Sequence, residues 1–226
     1  MDLFSYLLGK SKSEGGGSSD LDWTSIGFTS TPQSIIDGYN YAETIYNEWD
    51  ATATSLSNKF DGDTDLIYMP SVDCSLSTTC YYMFHNCVNL VEVEKLTITS
   101  ENKSCREMFS GCTSLLYTDF SDFDTSEVTT FQNMFSGCHR LKELDLSTFT
   151  STKATNINGM FNVKALEKLD VRNFVFSTVS SAVTCFGSSF PTDCLIIVKD
   201  STEKSWINTN FPSLTNVQTV SEYEGS

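Results

Sequence analysis

Apolar positions in the middle of the chain recur with a long period rather than a helical or simple strand one. Between Leu66 and Val198 a Met-Phe pair returns at Met83-Phe84, Met108-Phe109, Met134-Phe135 and Met160-Phe161, with Cys185-Phe186 as a degenerate fifth copy. The steps are 25, 26, 26 and 25 residues. MFHNCVNL, MFSGCTSL and MFSGCHRL share Met, Phe, Cys and Leu, and each is followed by a short alternating run, clearest in LKELDLSTF and LEKLDVRNF. Self-similarity at this period, built on an alternating leucine motif, predicts an α/β solenoid: a leucine-rich-repeat stack with short parallel strands on one face. The Met-Phe leg is expected on the opposite, short-helix side, with Met as a flexible core filler.

Alternation along a strand fixes which side chains face outward. With Leu144 and Leu146 inward, one outer column holds Glu94, Asp119, Asp145 and Asp170, and its neighbour holds Glu92, Tyr117, Glu143 and Lys168. Like charges at ladder spacing are unfavourable unless they accept hydrogen bonds or bind cations. The cysteines are phased too. Cys87, Cys112 and Cys138 fall four residues after the Met, and Cys80 and Cys105 three before it. Equivalent positions stack about 5 Å apart, so free, buried thiols are expected, although that spacing does not forbid a disulfide.

The flanks divide the rest. Residues 1–10 form an apolar peptide with Leu3, Phe4, Tyr6, Leu7 and Leu8, and residues 11–20 (SKSEGGGSSD) read as a flexible linker. Residues 21–65 are expected to form a helical N-terminal cap. Thr31 is its N-cap and Pro32 its first helical residue, and Ile35, Tyr39, Ala42, Ile45, Tyr46 and Trp49 give an apolar face to about Asp50. Trp23, Ile26 and Phe28 would pack beside it. Residues 66–198 carry the repeats. Residues 199–226 make a C-terminal cap, with a closing helix over 201–210 and a further strand near Val217.

Composition narrows the function. Of 226 residues 39% are hydrophobic, with 16 Phe and 9 Tyr, enough for a packed core. A net charge of −15 repels phosphate backbones and anionic lipid, so neither nucleic acid nor a membrane is an expected partner. No stretch reads as a transmembrane span or a secretory signal. Asp61-Gly62-Asp63-Thr64-Asp65 resembles a calcium loop, but Leu66 and Val72 stand where an EF-hand needs Gly and Glu. His85 and His139 lack paired ligands, so no metal or cofactor is expected. No nucleophile-base set stands out either, and the chain is expected not to be an enzyme.

The stretch from Met108 to Phe149 closely resembles the BspA-type leucine-rich repeat of mycoplasma-type surface lipoproteins, over about residues 66–198. That resemblance implies extracellular adhesion and surface display. MDLFSYLLGK with its Gly/Ser linker, and the closing LIIVKDSTEKSWINTNFPSLTNVQTVSEYE, are similar to termini of bacteriophage head and tail fibre proteins. There the apolar peptide would be a virion anchor.

These resemblances imply a virion structural or decoration protein, docked to other virion proteins by residues 1–10, with a homo-oligomer among the arrangements such a terminus allows. It would display a strand face to host-surface glycans or proteins through Tyr117, Asp119, Glu143, Asp145, Lys168, Asp170 and Arg172. The alternative is a cell-surface or extracellular adhesion module, or an interaction scaffold.

Overall fold

The computed structural model describes residues 32–182 and 184–225. The residues expected to form a virion anchor (Leu3, Phe4, Tyr6, Leu7 and Leu8), the expected linker, Trp23, Ile26, Phe28 and the expected Thr31 cap lie outside them. The chain forms a parallel β-solenoid of about six coils. Helix α1 (Pro32–Asn47) precedes strands β1 (Tyr68–Met69), β2 (Val72–Asp73), β3 (Glu92–Val93), β4 (Leu96–Thr97), β5 (Tyr117–Thr118), β6 (Glu143–Asp145), β7 (Lys168–Asp170) and β8 (Leu195–Val198). Helix α2 (Ser201–Asn210), β9 (Val217–Thr219) and helix α3 (Val220–Glu224) close the chain. All pairings are parallel, in sheets β1-β3-β5, β2-β4 and β6-β7-β8-β9.

The Met-Phe leg is where the expectation of short helices fails. It is a chain of tight turns. Cys80, Tyr82, Phe84 and Asn86 donate their N–H groups to the carbonyls of Ser104, Arg106, Met108 and Ser110 in the next coil, at 3.0, 3.1, 2.9 and 2.8 Å. The intervening Met83, His85 and Cys87 donate to residues three back in their own coil. An α-helix would direct every N–H four residues back and leave neighbouring coils unbonded on this side. The alternation is sustained by left-handed backbone at two positions per coil. One column is Asn58, Tyr82, Glu107, Asn133 and Gly159, and the other is Gly62, Asn86, Gly111 and Gly137.

The same bonding begins before Leu66. Leu56, Asn58, Phe60 and Gly62 donate to Thr79, Tyr81, Met83 and His85, so Asp61-Gly62 is the turn of a leading coil rather than an isolated acidic corner. Phe60 stands 24 residues before Phe84 and stacks on it at 5.4 Å. The stack continues from Phe84 to Phe109 at 5.2 Å and from Phe109 to Phe135 at 5.8 Å. At the leading end Trp49 lies over Phe60 at 6.3 Å and donates Nε1–H to the Asp73 carbonyl at 2.8 Å. Ala42 is buried, and Ile45 packs against the core beside it.

All eight cysteines are free and buried. Each phased thiol has a partner: Cys87, Cys112 and Cys138 donate Sγ–H to the carbonyls of Phe60, Phe84 and Phe109 at 2.9, 2.9 and 3.1 Å. Burial pushes the Cys87 thiol up to about 12 and raises Cys112 and Cys138 as well. The column is therefore a set of neutral hydrogen-bonding fillers.

Two predictions follow from these columns. Gly159 has φ +66, and an added Cβ would lie 2.1 Å from Asn133 Oδ1, whereas Gly62 (φ +73) has nothing within 4 Å. Gly62→Ala should cost about 1 kcal/mol from backbone strain alone, and Gly159→Ala more, because the Asn133 side chain must also swing aside. Equal shifts in urea midpoint would show that the coil-to-coil contact is not what selects glycine. The second concerns alkali. A thiol that titrates near 12 when folded and near 8.5 when unfolded leaves the folded state holding more protons between those values. Stability should be undiminished below about pH 8 and fall as the pH rises from about 8.5 towards 12. The fall should be shallower in Cys87→Ala, as read from urea midpoints across that range.

Candidate functional site

The strand face is built by a rule with one exception. At most junctions the strand N–H groups donate to the preceding coil: Val91 to Ile67 at 2.8 Å, Leu116 to Val91 at 2.8 Å, Glu167 to Lys142 at 2.7 Å and Leu195 to Glu167 at 2.9 Å. Three residues along, Glu94 donates to Met69 at 2.9 Å and Asp119 to Val93 at 3.4 Å. Among the described residues no such bond joins β5 to β6, which belong to different sheets.

The side chains of β5 account for the break. The inward pair that reads Leu144 and Leu146 in the next coil, and Leu169 and Val171 in the one after, is Thr118 and Phe120 here. Phe120 makes edge-on contacts with Phe109, Phe123, Phe135 and Phe149 at 5.1–5.9 Å. Phe120 thus puts a ring where the next two coils have Leu146 and Val171. Thr118 Oγ1 is enclosed and has no hydrogen-bond partner.

A cleft of about 450 Å³ lies on the strand face at this unpaired junction. It brings together four residues singled out from the sequence: Tyr117, Asp119, Glu143 and Asp145. Tyr117 is 51% exposed. Burial, followed by Asp119, Glu92 and Asp145, raises its pKa, so the phenol keeps its proton and can donate. Asp119 and Asp145 each use Oδ1 to accept the N–H of the residue two ahead, Ser121 at 2.7 Å and Ser147 at 2.9 Å. This Asx turn ends the strand, and Asp170 repeats it with Arg172 at 3.2 Å. The acidic column is therefore set first by turn chemistry, which answers the repulsion expected of it. At the lower end of the cleft, Thr148 donates Oγ1–H to the Phe120 carbonyl at 3.0 Å.

The other three expected contact residues are drawn away by the C-terminal segment. Asp170 is buried rather than exposed, because Arg172 binds it with Nε and Nη2 while Nη1 reaches Glu224 at 2.9 Å. Lys168 donates to the Tyr223 hydroxyl at 3.1 Å and lies over that ring. Glu92, expected to face outward, is likewise buried, in register between Tyr68 and Tyr117.

A second group was not expected. Tyr82 and Glu107 occupy left-handed backbone at φ 55° and 54°, in the column that elsewhere holds Asn or Gly. Their side chains meet: a hydrogen bond to Glu107 pushes the Tyr82 phenol up to about 12, and Arg106 pairs with Glu107 at 3.0 Å while lying over Tyr81. The only sequence signal was the substitution itself, two bulky residues at a glycine-type position. No group of three or more potential metal ligands forms among the described residues, and His85 pairs with Asp61 instead. Among them, too, no helix is long and apolar enough to cross a membrane.

A parallel solenoid with tight-turn legs and phased thiols defines a repeat protein. The chain belongs to the family described as Mycoplasma protein of unknown function, DUF285, which matches residues 78–193, just over half of it. The BspA-type repeats fall within that family. No curated protein and no solved structure matches the chain.

The ion pair beneath α3 gives a stability test separate from the cleft. Arg172→Ala leaves the Asp170 carboxylate, whose side chain is 7% exposed, without its main partner. A loss of about 2 kcal/mol is expected, reduced from the fully buried case because Arg172 itself is partly exposed. Asp170→Asn combined with Arg172→Ala should recover part of it in the same denaturation assay.

Proposed function

We propose that the chain is a non-enzymatic recognition module, held at a surface and using the strand-face cleft between β5 and β6 to bind a molecule on another surface. The observation that carries this reading is the single interrupted junction: an otherwise regular ladder opens where Tyr117, Asp119, Glu143 and Asp145 converge. Regular coils supply rigidity, which preorganises a binding face at little entropic cost. Membership of a family of repeat-type surface proteins supports display. Helix α1 with its Ala42, and Trp49 just beyond its end, would cover the leading apolar end, as solenoids require. The finer part of the proposal places the protein on a virion, attached by Leu3, Phe4, Tyr6, Leu7 and Leu8, with host glycan or protein as the ligand. It rests on the sequence resemblance of the two termini.

Fluorescently labelled protein should bind intact target cells saturably. Tyr117→Ser should reduce that binding about tenfold, consistent with losing an aromatic anchor, while the exposed Lys153→Ala leaves it unchanged. Equal binding by all three proteins would remove the cleft from the mechanism. Deleting residues 1–14 should abolish co-sedimentation with particles without changing cell binding.

A further inference from the structure

Resting on the recognition reading, we propose that the cleft between β5 and β6 takes a neutral saccharide unit, seated against Tyr117 and hydrogen-bonded to Asp119, Glu143 and Asp145. The chemistry of the walls selects this class. The interrupted ladder leaves strand N–H donors of β6 and carbonyl acceptors of β5 facing the opening, with no bond between them. The carboxylates add acceptors, since Asp119 and Asp145 commit only Oδ1 to their turns. Tyr117 adds a phenol donor and an exposed ring. A ligand that satisfies both signs must donate and accept at closely spaced points while offering an apolar face. Each sugar hydroxyl does both, and the ring C–H groups supply the face.

Other ligand classes fit less well. Anions, including sialylated and sulfated sugars, meet three carboxylates, and the one lysine on the rim, Lys142, is already paired with Glu167. An extended peptide entering as an extra strand needs about 4.8 Å on each side. Thr148 bonded to Phe120 at 3.0 Å, and Phe109 stacked on Phe135 at 5.8 Å, keep the coils too close for that.

The shape of the cleft depends on two further lining residues, Thr118 and Phe120, which are not assigned a hydrogen bond to the sugar. Thr118→Leu with Phe120→Leu restores the inward pair of the neighbouring coils, and should allow β5 and β6 to pair and the cleft to close.

The test is saturation-transfer NMR and calorimetry on the full chain with the methyl glycosides of mannose, galactose and N-acetylglucosamine, up to about 20 mM, since single-site sugar affinities near 1 mM correspond to about 4 kcal/mol. Sialic acid, glucuronic acid and tetralysine serve as competitors of other chemistry. At least one neutral glycoside should bind, sialic and glucuronic acids at least about tenfold more weakly, a gap of about 1.4 kcal/mol. Tyr117→Ser should lose binding, and folded T118L/F120L should lose it with no fall in Tm. The proposal is overturned if no neutral glycoside binds, if the acidic sugars bind as well, if tetralysine alone binds, or if folded T118L/F120L binds like the wild type. Should the double variant fail to fold, Tyr117→Ser decides. Cell binding that survives without any glycoside binding would sink the saccharide class and leave the recognition reading standing.

Discussion

Coil-to-coil hydrogen bonding on the Met-Phe leg is the constraint that the rest of the solenoid obeys. A buried backbone group without a partner costs free energy comparable to a lost hydrogen bond. Every second N–H here finds its partner only in the next coil. That requirement fixes the coil spacing, and the spacing fixes everything stacked inside it. Phe rings sit 5.2–5.8 Å apart, thiols reach the carbonyl of the preceding coil, and the left-handed corners are mostly glycine or asparagine, the residues that adopt that backbone most readily, with Gly111 and Gly159 also leaving room for the Asn86 and Asn133 side chains. The period of 25 or 26 residues is thus a consequence of closing one coil so that these atoms superpose.

Regularity of this kind makes an irregular junction meaningful. A Thr-Asp-Phe strand among Leu-Asp-Leu and Leu-Asp-Val strands does not weaken the legs, since Phe135 still donates to Met160 and Phe109 to Met134 at 3.1 and 2.9 Å. It changes only the strand side. The molecule can therefore hold an opening on one face without losing cooperativity on the other, because each coil is anchored to its neighbours along several columns. Variation in the inward strand residues tunes where such a solenoid opens, and variation in the outward residues tunes what enters.

Much of this was legible in the residues. The phased Met-Phe-x-x-Cys-x-x-Leu phrase placed the repeats, the strand register and the burial of the thiols, since those depend on spacing alone. The two outward columns, one through Tyr117 and one through Asp145, were legible for the same reason. The turn leg was not. Met-Phe-Ser-Gly-Cys carries apolar residues at helix-compatible spacing, and only the coil-to-coil partners, tens of residues away, decide for turns. The leading coil was hidden because Lys59 stands at the Met position, although Phe60 and Gly62 kept the phase. Glu92 and Asp170 read as exposed because alternation gives direction but not cover. The cover comes from Tyr68 and Tyr117 as register neighbours in one case and from Arg172 with Glu224 in the other.

The same distinction explains why the cleft itself could not be read in advance. Its wall residues lie in columns that the repeat predicts, yet those columns alone describe a continuous surface. The opening comes from what stands behind them, an inward Thr118 in place of leucine and a Phe120 wedged among four other rings. Outward residues supply recognition chemistry, and inward residues decide whether it has depth. In a solenoid the two alternate along a single strand, so a core substitution that changes no exposed atom can create or erase a site. On the proposed reading, function in this fold is encoded in the packing as much as on the surface, and Tyr117 would serve it because Phe120 is its near neighbour.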